Sequence, residues 1–370
     1  MPRATSSVLP IELIEIALDF LRGDAKTLAV CCRVCRTWSP RARYNLYYQV
    51  ELILFKIVPF YAAVDRNGNA ATAIRELSLQ GGWEKPKEPM RHLRTTNLRT
   101  LRLHYVDLNN AWLPLITYHA RCSLTTLSLK RCSIMTPRKF VRFLQRLPHL
   151  THLEGLEISS KRREEDVDPT EALPALQSLC LMGRKDLALT LLQIFTAAPG
   201  GLQNVTVLRI ALYTRQLAKF NVLLASFAEN LHELELAVDP DDPPPEQTSL
   251  PSLSACRRLS VLTFEVRLCH VYPRSFKDHL SWVEHFLESI RAEDLRNFKL
   301  VVRAAGAMPA DFADMGLSTV DCVLCRAPFS SLQRVVVHVK KASFNMERDV
   351  RREMAMMDMK GILQYVQTAV

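Results

Sequence analysis

The sequence predicts an α/β chain: a short N-terminal helical module, then a solenoid of stacked repeats with a parallel β inner face and helices outside. Two observations carry that expectation. The motif Leu-x-x-Leu-x-Leu, apolar at its first, fourth and sixth positions, recurs ten times between Ile74 and Val337. Ahead of it, residues 9–50 hold more helix-spaced apolar residues than so small a unit can bury. At 370 residues the chain exceeds one ordinary domain. A repeat array escapes that ceiling, because each unit buries its face against its neighbours. A hydrophobic content of 48% supplies a core, and 11 glycines are too few for disorder to be the default.

The helical module opens on Leu9-Pro10 and places Leu13, Ile14, Leu18 and Leu21 at helical spacing. A polar break follows at Arg22–Lys26, and a second apolar segment runs through Leu28, Val30 and Val34 to Cys35 and Trp38. Pro10 suits a first helical turn, where a missing N–H costs nothing. Asp24 is the expected N-cap of the second helix and Pro40 its stop. A segment of about 40 residues rarely stabilises itself, so another chain or the next domain should cover part of its apolar surface.

Residues from Arg43 to Tyr61 predict one strand and one helix. The motif then occurs at Ile74/Leu77/Leu79, Leu98/Leu101/Leu103, Leu124/Leu127/Leu129, Leu153/Leu156/Ile158 and Leu176/Leu179/Leu181. It continues at Val205/Leu208/Ile210, Leu231/Leu234/Leu236 and Leu259/Leu262/Phe264, with looser copies at Leu295/Phe298/Leu300 and Leu332/Val335/Val337. Successive starts step by 24, 26, 29, 23, 29, 26, 28, 36 and 37 residues. Two apolar residues separated by one polar residue place both side chains on one face of a short strand. The earlier Leu enters the same core as the chain turns in. Segments at Pro137–Leu147, Lys185–Thr196, Thr214–Ala228 and Ser275–Arg291 carry helix-period apolar residues for the return. Phe344–Gln367 is the expected capping helix, so the boundaries fall at residues 50 and 340. Asp239–Glu246 reads as a Pro-rich acidic loop, and the region Ala304–Cys325 as an insertion.

On these residues the N-terminal segment resembles the F-box, whose pattern occupies Leu9, Pro10, Glu12, Leu13, Ile14, Leu18, Leu21, Val34, Cys35, Arg36 and Trp38. Ala17 departs from it, standing where many members carry Ile or Leu. The continuation Arg41-Ala-Arg-Tyr-Asn-Leu-Tyr47 is typical of fungal members. The repeats resemble the leucine-rich repeat family across about residues 70 to 340, and Leu124-x-x-Leu-x-Leu-x-x-Cys132-x-Ile134 matches its full pattern. The resemblance implies a substrate-recognition adaptor of a Skp–cullin–F-box ubiquitin ligase. Leu9, Pro10, Leu13, Ile14, Leu18, Leu21, Val34 and Trp38 would dock the Skp linker protein and through it a cullin. The repeat's inner face would take an unknown target protein through Arg102, His104, Lys130, Glu157, Met182, Arg209, Glu235 and Glu265. The implied chain needs no cofactor and does no covalent chemistry.

The remaining patterns narrow the function classes. There is no GxSxG, GxxxxGK, HExxH or GxGxxG, and the ten His have no metal-ligand spacing beside a carboxylate. Cys32/Cys35 and Cys322/Cys325 are CxxC pairs, each without the second pair that zinc needs. Scattered cysteines and the absence of an apolar signal segment predict reduced thiols in a soluble protein of the cytoplasm or nucleus. Val50–Val64 is too short and too charged to span a bilayer. The net charge of +10 concentrates in residues 84–165, where 16 Lys/Arg face 7 Asp/Glu, an excess of 16 − 7 = 9. Such a patch attracts acidic partners, yet no aromatic residues interleave with it as nucleic-acid stacking requires. Two other roles fit the pattern: a Skp-bound or stand-alone interaction scaffold outside ubiquitin transfer, and a small polyanion held by the basic inner face.

Overall fold

The computed structural model describes residues 9–53, 56–66, 68–81, 96–108, 123–134, 136–160, 172–239, 252–267, 280–303, 316–326, 329–340 and 346–368. The fold is mixed α/β with parallel strands. It divides into two compact units, Met1–Leu150 with Ser159–Arg162 and Thr151–Ile158 with Arg163–Val370. The boundaries expected at residues 50 and 340 lie inside these units.

In the first unit, α1 (Ile11–Phe20), α2 (Ala25–Val34) and α3 (Ser39–Tyr48) form a bundle. Its core is Leu18, Leu28, Cys31 and Ala42, with Ile14, Leu21, Cys32, Trp38 and Leu46 packed against it. Asp24 caps α2 as expected: its Oδ1 accepts the Thr27 N–H at 3.0 Å. Pro40 has a different place, inside the first turn of α3 rather than at the end of α2, which stops at Val34. One carboxylate ties α1 to α3. Asp19 accepts from Arg41 Nε at 2.7 Å and Asn45 Nδ2 at 2.8 Å, and pairs with Arg22 at 3.2 Å. The Arg41 guanidinium is the main reason its carboxyl is held down to about 2.

The chain continues as β1 (Gln49–Ile53), α4 (Ile57–Arg66), α5 (Gly68–Ala73), β2 (Glu76–Gln80), β3 (Thr100–His104) and β4 (Thr126–Lys130). These strands run parallel, and their inward residues form two rows: Val50, Leu77, Leu101 and Leu127, and Leu52, Leu79, Leu103 and Leu129. Cys132 is buried behind β4 and donates its S–H to the Leu103 carbonyl at 3.3 Å; burial pushes its thiol up to about 11. Then come β5 (Ser133–Ile134) and α6 (Pro137–Gln145), which Thr136 caps by accepting the Lys139 N–H at 3.2 Å.

The second unit contains β6 (His152–Leu156), β8 (Ser178–Met182), α7 (Lys185–Ala197), β9 (Val207–Tyr213), α8 (Leu217–Leu224), β10 (Glu233–Asp239) and β11 (Val261–Arg267). It continues through α9 (Ser281–Ser289), β12 (Asn297–Arg303), α10 (Leu317–Leu324), β13 (Arg334–Lys340), α11 (Glu347–Glu353), α12 (Ala355–Met359) and β14 (Leu363–Thr368). A two-residue strand, β7 (Ser159–Ser160), belongs to the first unit and pairs with β5. The buried row here is Leu153, Leu179, Leu208, Leu234, Leu262, Phe298, Val335 and Leu363. The expected helices at 137–147 and 185–196 form nearly as read. The one at 214–228 is an α-helix between two 3₁₀ turns. The expected start of another at Ser275 lies outside the described residues, as do 240–246 of the acidic loop and 304–315 of the insertion.

Two expectations are corrected. The fourth motif does not start at Leu153: Leu153 pairs with Leu179 and Gly155 with Leu181, so the copy reads Leu150-x-x-Leu153-x-Gly155. The steps of 29 and 23 become 26 and 26, and the glycine disguised the copy. A Cβ on Gly155 would lie 2.4 Å from Ile158 Cδ1, so the Ile158 side chain fills the space where the other copies have a leucine. At the C-terminus the single expected helix is two short helices and a strand. Gly361 (φ 69°) turns the chain out of helix, and Leu363-Gln-Tyr-Val-Gln-Thr368 alternates as a strand must.

Candidate functional site

Helix α1 is apolar on two sides. Ile14, Leu18 and Leu21 face the bundle core. Leu9, Leu13, Ile16 and Phe20, at steps of four, three and four, form an opposite stripe and are all exposed, Phe20 by 85% and Leu9 by 63%. Val30 and Val34, one turn apart on α2, are exposed as well. Seven of the twelve large hydrophobic residues exposed among the described residues lie between Leu9 and Val34. An isolated exposed Leu is ordinary, but a contiguous apolar stripe marks an interaction surface.

Of the residues expected to dock a partner, Leu9, Pro10, Leu13 and Val34 are exposed. Ile14, Leu21 and Trp38 are half-buried against the core. Leu18 is a correction: at 2% exposure it is closed inside the bundle, because it falls on the face of α1 turned towards Leu28 and Ala42. Ile16 and Phe20 lie outside the motif positions; the spacing 9, 13, 16, 20 is the signal for them, since it defines a second helical face.

The side of the strands opposite the buried leucine rows, expected as the inner face, holds the second set. In the first unit, Arg102 and His104 on β3 stand beside Ser128 and Lys130 on β4. Arg102 Nη1 donates to Glu76 Oε2 at 2.8 Å. In the second unit, Cys180, Arg209, Glu235, Thr263, Lys299 and Val336 occupy one register row. Arg209 pairs with Glu233 at 2.8 Å and Glu235 at 3.5 Å. Burial pushes the Glu235 carboxyl up, against the pull of Arg209. Met182 is half-buried at the end of β8.

Two expected contacts are corrected here. Glu157 does not lie on the face, where Glu154 takes the position paired with Cys180. It follows β6 with φ 54°, and its N–H donates to the Met182 carbonyl at 2.6 Å. Glu265 lies on the face but is only 3% exposed, held by Arg303 at 2.6 Å and Lys340 at 3.4 Å. A carboxylate shared between two cations inside the structure is not available to a partner.

Among the described residues no group of three or more His, Cys, Asp or Glu is placed to hold a metal ion, and no helix is long and apolar enough to cross a membrane. The CxxC cysteines are free thiols, Cys35 and Cys322 exposed, Cys32 and Cys325 half-buried. No protein-family model matches the chain, and no curated protein matches it.

Proposed function

We propose that the chain is the substrate-recognition adaptor of a Skp–cullin–F-box ubiquitin ligase. In this reading the helical module is an F-box that docks Skp, and the stacked strands are leucine-rich repeats whose β-lined inner face takes a target protein through its solvent-facing polar residues. The observation that carries it is the second apolar face of α1. A helix that already closes its own bundle through Ile14, Leu18 and Leu21 still presents Leu9, Leu13, Ile16 and Phe20 to solvent. Burying each such side chain is worth about 1.5–3 kcal/mol. The arrangement is that of a helix laid into a partner's hydrophobic groove, and it sits on the residues that carry the F-box pattern. The leucine rows favour the repeat reading by the same logic, since each strand covers its neighbour's core. The adaptor acts by proximity, holding a target near the charged enzyme, in the cytoplasm or nucleus and without a cofactor.

The test is co-purification of Skp and a cullin with wild type and with Leu13→Asp/Phe20→Asp, whose side chains lie outside the core. Skp and cullin are expected with wild type and lost from the variant, with circular dichroism unchanged. Leu9→Ala with Pro10→Ala is expected to weaken Skp capture by about 2–4 kcal/mol. Undiminished capture by the variants, or none by wild type, contradicts the proposal. Skp without a cullin would instead mark a scaffold outside ubiquitin transfer.

A further inference from the structure

A cleft of about 990 Å³ opens in the first unit between α2, α3 and α5. Arg36 and Arg43 line it, together with the rings of Tyr44 and Tyr47 and the side chain of Ser39. No Asp or Glu is among its described lining residues. Neither arginine has an ion pair among the described residues, unlike Arg41, which shares α3 with Arg43 but is spent on Asp19 of α1. The two phenols are positioned by their rings, Tyr44 edge-on to Tyr48 with centroids 6.0 Å apart and Tyr47 against Phe60 at 6.4 Å. Their hydroxyls donate to no acceptor among the described residues. The floor is apolar, with Leu46 half-buried and Ala70 buried.

We propose that this cleft binds a soluble phosphate ester of about nucleotide size. Two guanidiniums without a carboxylate supply two positive charges, which match the −1.5 to −2 that a phosphate group typically carries at neutral pH. The planar fork of each donates to two oxygens at once, and hydroxyl donors suit the remaining tetrahedral acceptors. The Tyr47 ring and an apolar floor accept the ring-bearing part of such a ligand, the Tyr44 ring already having Arg41 over it at 5.4 Å, and the volume lies at the upper end for small-molecule sites. The cleft is separate from the docking stripe. On α2 a residue advances by about 100°, which puts Cys32 on one flank of the buried Leu28–Cys31 edge and Val30 and Val34 on the other, while Arg36 follows the helix in the turn before α3. The inference rests on the first unit alone and is independent of the ligase reading.

The experiment titrates full-length protein with inorganic pyrophosphate and with ADP, reading thermal unfolding. A rise in Tm of roughly 5 °C is expected at one hundred times the Kd, larger for ADP than for pyrophosphate at equal concentration. Arg36→Glu/Arg43→Glu should abolish it, while Arg138→Glu/Arg142→Glu, the same charge change on exposed positions of α6, should leave it intact. Because a charge reversal can disturb folding, a second readout uses wild type. ADP should slow alkylation of Cys32, which lines the cleft, at least threefold relative to Cys35 and Cys322, measured by mass spectrometry. No shift with either probe at millimolar concentration, an equal loss in both double variants, or Cys32 alkylation unchanged by ADP overturns the proposal.

Discussion

Gly183 and Gly155 show how single positions hold the strand stack. Gly183 follows β8 with φ 151°, and a Cβ there would come within 2.5 Å of the Glu157 backbone nitrogen. The obstruction is main chain, which cannot rotate away. Gly183→Ala is therefore expected to cost roughly 2–4 kcal/mol, read from urea denaturation. Gly155 is obstructed instead by the tip of Ile158, a side chain that substitution can remove. Gly155→Leu alone should overpack the core by about 1–3 kcal/mol and Ile158→Ala alone should leave a cavity costing about 2–4 kcal/mol. The double variant should cost less than the sum, since the new leucine refills the space; an additive double mutant would show that the two side chains do not share it. Asp19 acts through charge. Its carboxyl is held at about 2, below its ordinary 3.8, so the stability it contributes is full above the unfolded value and lost as pH falls towards 2. The difference in unfolding free energy between wild type and Asp19→Asn should stay constant above about pH 5 and shrink below it.

At the level of elements, capping decides where helices begin and which segments stay attached. α12 has no side-chain cap of its own at Met354. Its N–H groups are taken by α10 instead: the buried Asp321 accepts from Met356 at 2.9 Å and Met357 at 3.0 Å. Asp321→Ala leaves two donors without an acceptor and should cost about 2 kcal/mol. Hydrogen exchange should then quicken across residues 355–368, with β6–β9 unaffected. β14 was hidden from sequence reading for a related reason. Its neighbour β13 is announced by Leu332 three residues before Val335, while the matching position before Leu363 is Lys360. A strand lacking its leading leucine is recruited by pairing with β13, which a linear motif does not record.

For the molecule as a whole, the outward stripe of α1 is a liability unless covered. In the absence of a partner the purified chain is expected to self-associate, with Leu13→Asp/Phe20→Asp reducing the apparent mass measured by light scattering. Because both side chains lie outside the core, the substitution should alter stability by no more than about 0.5 kcal/mol. Self-association that persists undiminished in the variant would place the sticky surface elsewhere.

The amino-acid order by itself determined that parallel strands recur along most of the chain, because inward leucines at a two-residue period can satisfy only one face. It also determined that α1 is oversupplied with apolar residues. It could not tell which of them face the core: Leu18 and Leu13 look alike in a motif, and only packing against Leu28 and Ala42 separates them. Tertiary structure likewise chose between the overlapping frames at Leu150 and Leu153, since register is set by the neighbouring strand. It also withdrew Glu265 from the candidate face by surrounding it with Arg303 and Lys340. Periodicity reports which residues must be buried somewhere; contacts between residues far apart in the chain decide where.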